Sequence, residues 1–99
     1  MERAEATGVR RRYLVEGEVQ GVGFRFFVVR QADRCGVRGW VRNLREGSVE
    51  ALGAGSPEAL AQFEAALRRG PPLARVERVR VEELPEDSAL EALSSFEIR

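Results

Sequence analysis

From residue 11 to 19, Tyr13, Val15, Gly17 and Val19 alternate with Leu14, Glu16 and Glu18, the period of a strand with one face buried. Gln20-Gly21-Val22-Gly23 interrupts that alternation, and the apolar period then changes. Phe24, Phe27, Val28, Ala32 and Cys35 share one face of a helix that Gly36 closes. Alternation returns over residues 37–43, where Val37, Gly39 and Val41 oppose Arg38, Trp40 and Arg42. Leu44-Arg45-Glu46-Gly47 reads as a hairpin turn whose glycine suits positive φ, leading to a third strand over residues 48–54 that pairs antiparallel with the second. Ser56-Pro57 opens a second helix with a capping hydroxyl and a proline at the first position; Leu60, Phe63 and Leu67 form its apolar face, and Gly70-Pro71-Pro72 stops it. Val76, Val79 and Val81 mark a fourth strand, whose parity slips between Val76 and Val79 and predicts a bulge or a late start. Phe96 and Ile98 alternate as a short last strand.

The order is β, α, β, β, α, β with a terminal β. Two helices, each apolar on one side, are expected to cover one face of an antiparallel sheet of four to five strands, giving an α+β two-layer sandwich. Residues 1–10 are polar, mixed in charge and without period, and are expected to form a flexible arm. Residues 11–99 are expected to form a single domain, since 99 residues have room for one core.

Charge narrows the function classes. The 16 basic residues, all arginine, are matched by 16 acidic ones, which disfavours a globally basic nucleic-acid binder. Without lysine, any phosphate or carboxylate partner must be held by guanidinium groups or by backbone N–H groups. The absence of histidine and the single cysteine, Cys35, exclude histidine metal sites, Ser-His or Cys-His catalysis and an intrachain disulfide. Cys35, on the apolar face of the first helix, is expected to be a buried, inert thiol. No apolar run reaches the roughly 18 residues that span a bilayer, so no membrane partner and a cytoplasmic location are expected.

The stretch from Gly17 to Arg25 carries the most chemistry. Glycines 21 and 23 stand between a strand and a helix, where they let consecutive N–H groups converge without Cβ clashes. Those groups meet the positive end of the helix dipole, which suits a phosphate-sized anion, and Arg25 in the first helical turn could close over it. Two readings stand at this level: an anion cradle, or turn glycines beside a solvated arginine. The loop is neither a Walker loop nor a dinucleotide fingerprint. Asn43, at a strand end before a turn, likewise has a local hydrogen-bonding reading. Arg38, Trp40 and Arg42 share a strand face, where arginine stacked on tryptophan is ordinary surface packing. Arg10 to Arg12 lie near Glu2 and Glu5, as a solvated arm would.

The string VQGVGFR at residues 19–25, followed by GWVRN at 39–43, EGSVE at 46–50, GPPLARVERV at 70–79 and the terminal FEIR, resembles the acylphosphatase family over nearly the whole chain beyond residue 10. The resemblance implies a ferredoxin-like sandwich and hydrolysis of the carboxyl-phosphate bond of acyl phosphates, without metal, cofactor or covalent intermediate. It implies that the backbone of Gln20, Gly21, Val22, Gly23 and Phe24 cradles the phosphoryl oxygens, that Arg25 binds the phosphate, and that Asn43 positions the attacking water. An acyl phosphate is then the substrate and inorganic phosphate a product or inhibitor; separately, a small domain of balanced charge is expected to act as a monomer. Where family members often carry Asp-Gly after the asparagine, this chain has Glu46-Gly47, a change in turn chemistry only.

Two rivals share the scaffold. One is a phosphate or acyl-phosphate binding module without turnover, against which the presence of both Arg25 and Asn43 argues. The other is an RNA-recognition module of the same element order. Its aromatic motif belongs on the third strand, whereas residues 48–54 have no aromatic and Phe24, Phe26 and Phe27 open a helix.

Overall fold

The computed structural model describes residues 8–85 and 95–99. The elements are β1 (Val9–Glu18), α1 (Phe24–Cys35), β2 (Arg38–Asn43), β3 (Val49–Gly55), α2 (Pro57–Arg69), β4 (Arg75–Leu84) and β5 (Phe96–Ile98). They build one sheet in the order β4-β1-β3-β2-β5, and both helices pack on one of its faces. None of the described helices is long and apolar enough to cross a membrane.

β1 pairs antiparallel with β3 and β4, and β2 pairs antiparallel with β3. β5 departs from the antiparallel expectation by running parallel to β2, with Gly39 N–H donating to Ser95 O and Arg99 N–H to Val41 O. Short hairpins enforce antiparallel neighbours. β5 instead follows β4, at the opposite edge of the sheet, and a crossover of that length admits the parallel sense.

β1 starts at Val9, inside the arm expected over residues 1–10, because β3 and β4 extend far enough to pair with it at Gly55 and Leu84. Val9 also keeps the parity of Tyr13 and Val15 and packs against the core. Of the rest of the expected arm, residues 1–7 lie outside the described residues. The parity slip in β4 is a bulge: Glu16 pairs with Arg78 and Gly17 with Val76, leaving Glu77 as the extra residue.

The core lies between sheet and helices. Phe63 of α2 sits at its centre, edge-on to Tyr13 at 5.3 Å between ring centroids and tilted against Phe96 at 5.6 Å. Phe24, Phe27 and Val28 of α1 join the same cluster, so the helix that begins at the glycine loop is anchored from its first residue. Each such side chain contributes roughly 1.5–3 kcal/mol by leaving water.

On the other face of the sheet, charge takes the place of a helix layer. Glu50, only 5% exposed, accepts from Nε of Arg12 and from Nε of Arg42, the latter at 2.7 Å. Burial opposes ionisation of Glu50, but the two guanidinium groups outweigh it and hold the carboxyl below its usual range. Arg42 and Arg99 stack on Trp40 at 5.0 and 5.3 Å.

Candidate active site

Val19, buried, follows the last residue of β1, residues 20–23 turn, and α1 begins at Phe24. Gly21 and Gly23 have φ of 77° and 78°, in the left-handed region. A Cβ built on either would meet nothing within 4 Å. Backbone conformation therefore calls for glycine here, and the Cβ crowding expected from sequence is not the reason. A side chain at either position would cost about 1–2 kcal/mol in the left-handed conformation.

The N-terminus of α1 is open. Gly23 provides no side-chain cap and the first turn holds no acidic residue. Phe27 N–H donates to Gly23 O at 3.1 Å, the first bond of the helix, so the N–H groups of Phe24, Arg25 and Phe26 have no intrahelical acceptor. Aligned donors at the positive end of a helix dipole favour an anion there.

A pocket of about 120 Å³ faces this opening, lined by Val19, Gly21, Gly23, Phe24, Arg25, Phe26 and Asn43. Asn43 is the last residue of β2, and its Oδ1 is buried without a hydrogen-bond partner. Among the described residues the half-buried Arg25 makes no ion pair, so its guanidinium is uncommitted. A buried acceptor, a free cation and a fan of N–H donors thus border one small space.

Of the residues singled out from sequence, the pocket brings together Gly21, Gly23, Phe24, Arg25 and Asn43. Gln20 and Val22 stand beside it: Val22 packs against the core, while Gln20 Nε2 donates to Leu44 O at 2.6 Å and Ser48 O at 2.8 Å. Phe26 was missed. It lines the pocket while 65% exposed, and its signal in the sequence is an apolar residue lying off the helix face that carries Phe24, Phe27 and Val28.

The β2–β3 hairpin behind Asn43 is built as the turn residues predict. Leu44 N–H donates to Ser48 O at 2.9 Å, Gly47 N–H donates to Leu44 O at 3.1 Å, and Gly47 has φ of 109°. The Ser48 hydroxyl donates to Glu46 at 2.6 Å and holds that carboxyl below its usual value. Cys35 is half-buried against the core rather than fully enclosed, as the last residue of α1.

A profile of the acylphosphatase family matches residues 11–98, nearly the whole chain. The chain belongs to the acylphosphatase family. The acylphosphatase of Nitrobacter winogradskyi is 55% identical to it over 71 residues, 72% of each chain. The crystal structure of acylphosphatase from Bacillus subtilis superposes with a TM-score of 0.84 at 40% identity, covering 92% of this chain and 98% of that one. An acylphosphatase from Coxiella burnetii gives 0.88 at 34% identity over 100% of both chains. The fold is accordingly the family's ferredoxin-like α+β sandwich.

Proposed function

We propose that this chain hydrolyses the carboxyl-phosphate bond of acyl phosphates to a carboxylate and inorganic phosphate. Membership of the acylphosphatase family supports the reaction class. The observation that carries the mechanism is the buried, unpartnered Asn43 Oδ1 in the same pocket as Arg25 and the open end of α1.

In this mechanism the N–H groups of residues 20–24 and the Arg25 guanidinium hold the non-bridging phosphoryl oxygens, where charge accumulates during transfer. Asn43 Oδ1 accepts a hydrogen bond from a water and aims its oxygen at phosphorus. The water oxygen forms the new P–O bond, and the bond from phosphorus to the carboxyl oxygen breaks with its electron pair on the leaving carboxylate. The proton of the water passes to a phosphoryl oxygen. A leaving group whose conjugate acid has a pKa of about 4 needs no general acid, so a chain without histidine can do this chemistry.

Inorganic phosphate keeps the cradle contacts and acts as a competitive inhibitor. The chain acts as a cytoplasmic monomer on a small-molecule acyl phosphate, with no metal, nucleic acid or membrane partner. The test is hydrolysis of benzoyl phosphate by the purified protein with a chelator present. Turnover that disappears in Arg25→Ala supports the reading. Phosphate binding without turnover would make the chain a binding module, and turnover abolished by the chelator would overturn metal independence.

A further inference from the structure

The unpartnered Oδ1 of Asn43 raises the question of what holds that residue in place. An amide whose acceptor must stay free for a water cannot be fixed by a bond to that same oxygen. Among the described residues the Asn43 side-chain NH₂ makes no hydrogen bond either, so placement comes from the backbone at the end of β2, where Asn43 pairs in register with Val49 and the next residue, Leu44, closes the hairpin onto Ser48. Both carbonyls at that closure, Leu44 O and Ser48 O, accept hydrogen bonds from the Gln20 side chain, at 2.6 and 2.8 Å. Gln20 belongs to the opposite half of the site, as the first residue of the turn that leads to Gly21 and Gly23.

We infer that the Gln20 carboxamide is a positioning residue that sets the distance between the phosphate cradle and Asn43. Its backbone belongs to the cradle while both N–H groups of its side chain grip the strand end that carries Asn43. The two halves come from separate segments, the β1–α1 loop and the β2–β3 hairpin, and the carboxamide joins them directly across 24 and 28 residues of chain. Water attack depends on distance from phosphorus, and a misplacement of about 1 Å can cost two orders of magnitude in rate. Phosphate binding, by contrast, needs the backbone N–H groups of residues 20–24 and the Arg25 guanidinium, none of which belongs to the Gln20 side chain. The carboxamide therefore acts on turnover and leaves ground-state binding nearly untouched.

This inference rests on the hydrolytic reading above, and the experiment separates the two. Gln20→Met keeps the length of the side chain and removes both donors, and Gln20→Ala removes the side chain altogether. Benzoyl phosphate turnover and inhibition by inorganic phosphate are measured for each, alone and combined with Asn43→Ala. The expected result is a fall in kcat of about tenfold or more for both variants, phosphate inhibition within about twofold of wild type, and little further loss when either is added to Asn43→Ala. A merely structural contact would cost the same factor with or without Asn43, and that additivity would overturn the inference. So would a kcat within about twofold of wild type in Gln20→Met. Wild-type protein that does not turn over benzoyl phosphate would instead overturn the hydrolytic reading, and the inference with it.

Discussion

The two helices begin in opposite ways. α2 starts on Ser56, whose hydroxyl accepts from Ala59 N–H at 3.0 Å, with proline at its head and Glu58 in its first turn. α1 starts on Gly23 with no cap, no acidic residue and three N–H groups left over. Both helices present the same electrostatic problem to the fold. α2 solves it within its own sequence, while α1 leaves it open, beside an arginine that makes no ion pair among the described residues and a buried amide oxygen. In the proposed mechanism this uncapped N-terminus is where the phosphoryl group binds, and the missing cap is a stability given up there.

The sharpest way to break the comparison is at the charge over the open end. Arg25→Ala is expected to lose at least about 3 kcal/mol of transition-state stabilisation, read as kcat/KM for benzoyl phosphate. Activity within a few-fold of wild type would remove Arg25 from the site. Asn43→Ala should lower kcat far more than it raises KM, since water placement acts in the transition state; an effect on KM alone would make Asn43 a binding residue.

Next in size is Gly23→Ala, which forces a side chain into the left-handed conformation and should cost about 1–2 kcal/mol in urea unfolding, with slower turnover as the cradle shifts. Gly23→Asn should be milder, because asparagine tolerates that conformation. Equal stability of all three proteins would show that the turn has another conformation available.

At the other helix the outcome reverses. Ser56→Ala should cost about 1 kcal/mol of stability and leave kcat unchanged, as a cap remote from the chemistry must. Loss of activity at full stability would mean that the two helix ends are coupled.

Acidification gives the smallest effect and falls on neither helix end. Glu50 has its carboxyl pKa depressed by Arg12 and Arg42, so its contribution is complete above the unfolded value of about 4.3 and is lost as pH falls through the lower folded value. The effect is modest because both guanidinium partners are partly solvated, their side chains 35% and 49% exposed. Urea midpoints measured from pH 5 downward should fall more steeply for wild type than for Glu50→Gln. Parallel curves would assign the acid sensitivity to other carboxylates.

Much of this molecule was legible in one dimension because the forces involved are local. Periods of two and 3.6 residues, the Ser56-Pro57 start, the glycine stops and the Gly47 turn each act within a few residues, and the structure realises all of them. The bulge at Glu77 was legible too, since an extra residue leaves a parity slip in the apolar pattern. Less could be read where neighbours in space are strangers in sequence. Arg42 looked like surface packing on Trp40, and only the β2–β3 register brought Glu50 beneath it. The parallel sense of β5 had no trace in two alternating residues, Phe96 and Ile98.

The sequence by itself determined which segments are helix and strand, where the glycine loop falls, and which types of side chain are available for chemistry: guanidinium, amide and backbone N–H, without imidazole. Tertiary structure alone decided that the open end of α1, Arg25 and the Oδ1 of Asn43 border a single pocket, and that Gln20 spans its two sides. Secondary structure follows from interactions a few residues apart, whereas the site is assembled by sheet register and helix packing, which join residues far apart in the chain.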